Sequence, residues 1–76
     1  MLSYTVKLSY LEFNFGKVYE CLKELGIEKG LISIEIYLNE KVTFRQTDKA
    51  FDVPADQLKA YEIEELILYT RRQNAN

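Results

Sequence analysis

The sequence predicts a small α+β domain with the element order β-α-β-β-α, in which two helices cover one face of a three-stranded sheet. Alternation of apolar and polar residues over residues 2–10, 31–38 and 41–47 is typical of strands with one buried face. Apolar residues recur every three or four positions over residues 14–25, as in an amphipathic helix. Pro54 and Asp56 together are typical of the first turn of a second helix.

The first helix has recognisable signals at both ends. Asn14 is expected to be its N-cap, because the asparagine side chain can accept hydrogen bonds from the amides of the first turn. The helix is expected to end near Leu25, with Gly26 in the left-handed conformation of a Schellman motif and Ile27 against Leu22. If the strands on either side of this helix are parallel, the connection should be a right-handed crossover.

The second and third strands form a predicted hairpin. Their apolar residues can share one face of the sheet and comprise Ile32, Ile34, Ile36, Leu38, Val42 and Phe44. Asn39 suits a tight turn because asparagine tolerates positive φ, but Glu40 stands where glycine would be ideal, so a loop longer than two residues is an alternative. Residues 46–52 are interpreted as a polar segment that leaves the hairpin.

The C-terminal region has two interpretations. The preferred one is a single helix over residues 54–72, since this region is rich in good helix formers and contains no internal helix breaker. The alternative makes residues 65–72 a fourth strand and completes a ferredoxin-like βαββαβ order. The long helix would be apolar on two sides, with Leu58, Tyr61, Leu68 and Tyr69 lying largely opposite the core-facing arc. We therefore expect a partner to cover the second side.

The chain has 76 residues, one cysteine, no histidine and a formal net charge of −2. We expect one domain over residues 1–76. Such a small domain buries only about 60% of the surface that its unfolded chain exposes, and small scaffolds are often stabilised by disulfides, metals or a partner chain. One cysteine cannot form an intrachain disulfide, and the absence of histidine disfavours a zinc site. We therefore expect association with another chain to supply additional stability.

Neither a cofactor nor a metal is expected from the residue inventory. A Ser-His or Cys-His nucleophile system requires histidine, and the three glycines form neither a phosphate loop nor a dinucleotide fingerprint. Glu62, Glu64 and Glu65 are clustered, yet such spacings on a helix do not bring carboxylates to one point. We therefore expect a protein that is not an enzyme. No signal peptide or membrane-length apolar run is recognised, so a cytoplasmic location is expected.

Protein binding is the function that the residue inventory favours. Tyrosines anchor interfaces because they bury a large area and keep a polar tip. The predicted partner-binding residues on the C-terminal helix are Leu58, Tyr61, Glu62, Glu65, Leu68 and Tyr69. The partner is expected to be either a second copy, giving a homodimer or a homo-oligomeric structural protein, or a larger protein. In the latter case the chain would act as an inhibitor or adaptor of the phage or mobile-element type, on a target such as a host defence nuclease.

Two resemblances accompany this interpretation. Residues 4–9, with the sequence YTVKLS, resemble a strand of a phage-encoded anti-CRISPR inhibitor of Cas9-type nucleases. The predicted element order is similar to that of the small bacterial DNA-damage-inducible modulators of recombinase filaments, although Arg71 and Arg72 stand where that family's final helix is acidic. The first likeness spans six residues and the second is one of topology without a shared motif. Neither likeness assigns the chain to a family, and a fold-level analogy does not establish function.

Nucleic-acid binding is the alternative function. The polar face of the predicted sheet carries Lys7, Tyr37, Lys41 and Arg45, which resemble in outline the basic and aromatic surfaces that hold single strands. Only one of these residues is aromatic, Glu35 lies among them, and the chain is acidic overall. These features disfavour nucleic acid as the partner.

Overall fold

The computed structural model describes residues 1–75 and shows a small α+β domain with an antiparallel four-stranded sheet and three helices. The predicted class is therefore correct, whereas the predicted count of three strands and two helices is not. The elements are β1 (Leu2–Lys7), α1 (Leu8–Asn14), α2 (Gly16–Glu24), β2 (Leu31–Tyr37), β3 (Lys41–Gln46), β4 (Lys49–Pro54) and α3 (Ile63–Asn74). No helix within this described part of the chain is long and apolar enough to cross a membrane.

The sheet has the strand order β1-β2-β3-β4, and every neighbouring pair is antiparallel. A row of paired residues crosses all four strands on the helix-covered face and consists of Tyr4, Ile34, Phe44 and Phe51. Lys7 pairs with Leu31, so α1 and α2 return the chain to the end of the sheet at which β1 finishes. The condition for a parallel right-handed crossover is therefore not met.

The first strand ends earlier than predicted. β1 stops at Lys7, and the Leu8 amide donates to the Gly30 carbonyl at 2.9 Å as α1 begins. Leu8 and Leu11 are both buried, a spacing of three that belongs to a helix. Asn14 is not the N-cap of the following helix: it is the last residue of α1, and its side-chain amide donates to the Tyr10 carbonyl at 3.0 Å.

The predicted stop of the following helix is confirmed. Gly26 has a φ of 87°, which glycine adopts without the steric cost of a Cβ. The Ile27 amide donates to the Leu22 carbonyl, and the Gly26 amide to the Lys23 carbonyl, each at 3.0 Å. These are the two hydrogen bonds of a Schellman motif. Ile27 and Leu22 are both fully buried in the core.

The predicted hairpin is present as β2 and β3, and its connection is the longer of the two alternatives. Residues 38–40 form the loop, Asn39 has a φ of 63°, and the Glu40 amide donates to the Tyr37 carbonyl at 3.0 Å. The predicted apolar face is buried apart from Leu38, which lies in the loop and is 69% exposed.

β4 includes part of residues 46–52, the segment that the sequence pattern indicates as a polar connection leaving the hairpin. Thr47 and Asp48 form a two-residue turn, because Gln46 pairs with Lys49, and Thr47 has a φ of 37°. Val53 is buried on the inner face of the sheet. Pro54 ends this edge strand in an extended conformation and is followed by a 3₁₀ turn, not by the predicted α-helix. Proline is tolerated there because an edge position does not require its missing amide hydrogen.

Both interpretations of the C-terminal region need correction. After a 3₁₀ turn (Ala55–Gln57), residues 58–62 form turns, and α3 begins only at Ile63. Glu62 interrupts the predicted long helix because it adopts a left-handed φ of 56°. Residues 65–72 lie within α3, so the ferredoxin-like alternative with a C-terminal strand is also wrong.

The core lies between the sheet and the helices. Apolar residues of all four strands and all three helices contribute to one continuous cluster. Its most deeply buried aliphatic and aromatic members include Leu8, Leu11, Leu22, Ile27, Ile34, Phe44, Ile63 and Leu66. The opposite face of the sheet carries no helix within residues 1–75 and is polar. The Asn74 side chain donates to the Ser3 carbonyl at 3.1 Å, which ties the end of α3 to β1.

Candidate protein-interaction surface

Tyr69 of α3 stands at the centre of an aromatic cluster. Its ring lies edge-on to Tyr4 of β1, with centroids 5.8 Å apart and an interplanar angle of 77°. The Tyr10 ring of α1 lies at 5.2 Å and the Phe15 ring at 5.7 Å. Such offset and edge-to-face pairs are the favourable arrangements for aromatic rings. The cluster therefore fixes how α3 packs against β1 and the α1–α2 junction.

Tyr69 is partly removed from solvent by these rings. Burial raises the pKa of the Tyr69 hydroxyl above its ordinary value, and the neighbouring Tyr10 hydroxyl adds to the rise. The phenol is thus neutral throughout the physiological range. It supplies an apolar ring with a polar tip.

A groove runs along the solvent side of this cluster between α1 and α3. Its volume is about 470 Å³, and its lining residues are Tyr10, Asn14, Phe15, Glu65, Leu68, Tyr69 and Arg72. Leu68 is 53% exposed and Tyr10 is 37% exposed. Phe13 follows Tyr10 by three positions on α1, which places it on the adjoining helix surface, and it is 89% exposed. We call Tyr10, Phe13, Leu68 and Tyr69 the aromatic surface.

Charged residues mark the two ends of the groove on α3. Glu65 and Arg72 are both exposed, and seven residues is close to two helical turns, or about 10.5 Å along the axis. Both residues therefore lie on the same face of the helix, and Leu68 and Tyr69 lie between them. On α3 the groove thus has an acidic residue at one end, Leu68 and Tyr69 in the middle, and a basic residue at the other end.

The predicted partner-binding residues divide into two groups. Glu65, Leu68 and Tyr69 are brought together in the groove. Leu58 and Tyr61 precede α3 and pack, half-buried, against the core. They do not form a second apolar side of a long helix.

Glu62 also lies apart from the aromatic surface. It is the left-handed N-cap residue of α3, and its carboxylate lies 3.4 Å from the Lys17 ammonium of α2. Tyr10, Phe13 and Phe15 were absent from the predicted site. The helical spacing of Leu8, Leu11 and Phe15 is the signal that could have placed them on a helical segment.

The polar sheet face brings together three of the four residues predicted for nucleic-acid binding, and all three contact acidic side chains or each other. The Glu35 carboxylate accepts hydrogen bonds from Arg45 Nε at 2.9 Å and from the Tyr37 hydroxyl at 3.0 Å. The hydrogen bond from Arg45, followed by that from Tyr37, lowers the pKa of Glu35 below its ordinary value against the opposing effect of burial. Glu35 is therefore firmly ionised at neutral pH.

Asp52 makes the second set of contacts on this face. Its carboxylate accepts from the Thr43 hydroxyl at 2.7 Å and from the Lys41 ammonium at 3.1 Å, and these hydrogen bonds lower its pKa. Lys41 Nζ also lies 5.1 Å from the centroid of the Tyr37 ring. The two basic residues, Lys41 and Arg45, are thus matched by two carboxylates. The sequence pattern does not place Asp52 on this face, because it does not predict β4.

The remaining predicted residue, Lys7, lies away from this network. It is exposed at the end of β1, opposite Leu31, and lines a different cleft together with Glu12, Glu28 and Lys29. The four basic and aromatic residues therefore do not form one continuous positive surface.

Two findings bear on metal and nucleophile chemistry. Within residues 1–75 no cluster of three or more His, Cys, Asp or Glu side chains is arranged to hold a metal ion. Cys21 is half-buried, and burial, followed by the nearby Glu24 carboxylate, raises the pKa of its thiol. A raised pKa disfavours the thiolate that a nucleophilic cysteine requires.

Comparison with known proteins finds no matching family model, curated protein sequence or solved structure.

Proposed function

We propose that this chain is a non-catalytic protein-interaction module that binds its partner through the aromatic surface. The observation that supports this most strongly is the exposure of Phe13, Leu68 and Tyr10 beside the buried part of the Tyr69 cluster. Isolated exposed apolar residues are normal, but large apolar side chains grouped beside a groove are typical of interaction sites. Aromatic residues in particular are enriched at the centres of interfaces.

Rigidity of the surface also supports this proposal. Tyr10 and Tyr69 are held by ring contacts with each other and with Phe15, so they lose little conformational freedom when a partner binds. The charged rim formed by Glu65 and Arg72 adds the potential for electrostatic orientation of that partner. The surface thus combines an apolar centre with a polar edge.

The proposal covers two kinds of partner. One is a larger protein whose site the chain occupies, as an inhibitor or adaptor of the phage or mobile-element type. The other is a second copy of the chain, giving a homo-oligomer. Nucleic-acid binding through the polar sheet face has less support, because Lys41 and Arg45 already contact Asp52 and Glu35.

A pull-down that compares matched variants tests this proposal. The tagged chain is used as bait in a lysate of its source cells to which an untagged copy of the chain has been added. The test variant is Phe13→Ser/Leu68→Ser, and the control is Leu31→Ser/Leu38→Ser, which removes two other exposed leucines. All four positions are at least half exposed, so both variants are expected to fold, as circular dichroism would verify.

We expect the test variant to lose the protein that the wild type retains, and the control variant to keep it. Equal retention by both variants would contradict the proposal. Retention of nucleic acid that is weakened by salt and by Arg45→Gln would instead favour binding through the polar sheet face.

A further inference from the structure

The exposed charges of α3 are arranged with opposite signs about the middle of the helix. Glu65 lies in the first turn and Arg72 in the last, and both line the groove. Leu68, which is 53% exposed, lies between them. A helix with this pattern is complementary to a copy of itself that runs in the opposite direction.

We propose that the partner of the aromatic surface is a second copy of this chain, packed so that the two α3 helices run antiparallel. This inference rests on the proposed function, since it uses the same surface. The two-fold axis passes between Leu68 and Tyr69, the midpoint of the segment bounded by Glu65 and Arg72. Glu65 of each copy then faces Arg72 of the other, and Leu68 of each faces Tyr69 of the other.

Two-fold symmetry repeats each contact of this arrangement. In such an interface, if one residue contacts a second, the second contacts the first across the axis, so one complementary pair is present twice. A parallel packing of the same helices would instead place Glu65 opposite Glu65 and Arg72 opposite Arg72. The charge pattern therefore favours the antiparallel orientation over the parallel one.

The size of the surface sets the expected affinity. A standard interface removes about 800 Å² from each partner, which is roughly a sixth of the 5108 Å² that this chain exposes. α3 has 12 residues and is therefore only about 18 Å long, so it cannot supply this area alone. Tyr10 and Phe13 of α1 must contribute, and the interface is expected to be small. We expect a dimer that dissociates between about 1 μM and 1 mM.

Charge reversal tests the orientation directly by sedimentation equilibrium. Glu65→Arg converts both symmetric contacts to Arg–Arg, and Arg72→Glu converts both to Glu–Glu. Each single variant is expected to dimerise on the order of tenfold more weakly than the wild type, and less so at high salt. An equimolar mixture of the two variants is expected to form a heterodimer, because each contact again joins an arginine to a glutamate.

The same charges also complement the helix dipole of α3, so the control must match that effect. Glu64→Arg and Arg71→Glu make the same changes of charge in the same turns but at residues that do not line the groove. They are expected to leave the dimer affinity unchanged. Thermal unfolding of all four variants separates lost association from lost stability.

The outcomes divide clearly. Weakened single variants, restored association on mixing and unaffected controls would support the antiparallel dimer. A wild-type chain that stays monomeric up to about 1 mM, the weak end of the expected range, would overturn it. So would controls that weaken the dimer as much as the test variants do. If the chain is monomeric and yet captures a lysate protein that Phe13→Ser/Leu68→Ser releases, the proposed function stands and only the second-copy inference fails.

Discussion

Replacing Tyr69 with alanine is expected to lower the free energy of unfolding by about 3 kcal/mol. The Tyr69 ring contacts the rings of Tyr4, Tyr10 and Phe15, and an aromatic pair contributes about 0.5–1.5 kcal/mol beyond simple burial. Three pairs at about 1 kcal/mol each give this estimate. Tyr69→Phe keeps the rings in contact and should cost far less.

Leu68→Ala is the matched comparison, because Leu68 is adjacent in sequence but 53% exposed. Its replacement should change stability by no more than about 0.5 kcal/mol, as is usual for surface positions. Urea unfolding measures both changes, at a protein concentration low enough to exclude self-association. With a slope of about 1 kcal/mol per molar urea, Tyr69→Ala should shift the midpoint by about 3 M.

Equal midpoints for Tyr69→Ala and Leu68→Ala would refute this reasoning. That result would mean that the aromatic cluster does not hold α3 in place. A large loss for Tyr69→Phe would also contradict it, since the hydroxyl and not the ring packing would then be the main contribution.

Three further predictions concern other parts of the molecule. Glu35 and Asp52 have lowered pKa values, so the stability they contribute is present above their ordinary pKa values of 4.5 and 3.8 and is lost as the pH falls through the lower values of the folded state. NMR titration of both carboxyls checks this, and ordinary values would contradict the hydrogen-bonded network. Glu62→Gly should raise the free energy of unfolding by up to about 1 kcal/mol, because Glu62 has a φ of 56° and its exposed contact with Lys17 is worth little; urea unfolding that shows a loss would contradict the strained conformation. The Cys21 thiol should react with a disulfide reagent more slowly in the folded chain than in urea, since burial raises its pKa; equal rates would contradict that burial.

The parts of the fold that were predictable depend on local signals. Gly26 stops α2 through hydrogen bonds that span only a few residues. The β2–β3 hairpin follows from a run of alternating isoleucines and a nearby asparagine that tolerates positive φ. In both places local sequence preference and tertiary packing favour the same conformation, and the pattern is then sufficient.

The missed elements lack such agreement. β4 follows a turn in which Thr47 has positive φ without the glycine or asparagine that usually indicates it. Pro54 and Asp56 are typical of a helix start, but here Pro54 ends an edge strand. Leu8 fits the alternation of a strand and also the spacing of a helix, so the boundary between β1 and α1 is ambiguous in sequence.

The candidate site was predictable only where it lies on one helix. Glu65, Leu68 and Tyr69 share a face of α3 that follows from helical geometry. Tyr10 joins them because its ring lies against that of Tyr69, and residues so far apart in sequence are brought together only by tertiary structure. The pairing of Asp52 with Lys41 likewise depends on β4 lying beside β3.

A concentration series of amide NMR spectra tests the central claim most directly, because it locates the interaction surface residue by residue. Spectra are recorded from about 10 μM to about 1 mM, the range over which a small interface should fill. The predicted result is that resonances of α1 and α3 around Tyr10, Phe13 and Leu68 shift with concentration, while those around Glu35 and Asp52 on the polar sheet face do not. Shifts confined to the sheet face, or none at all, would contradict self-association through the aromatic surface.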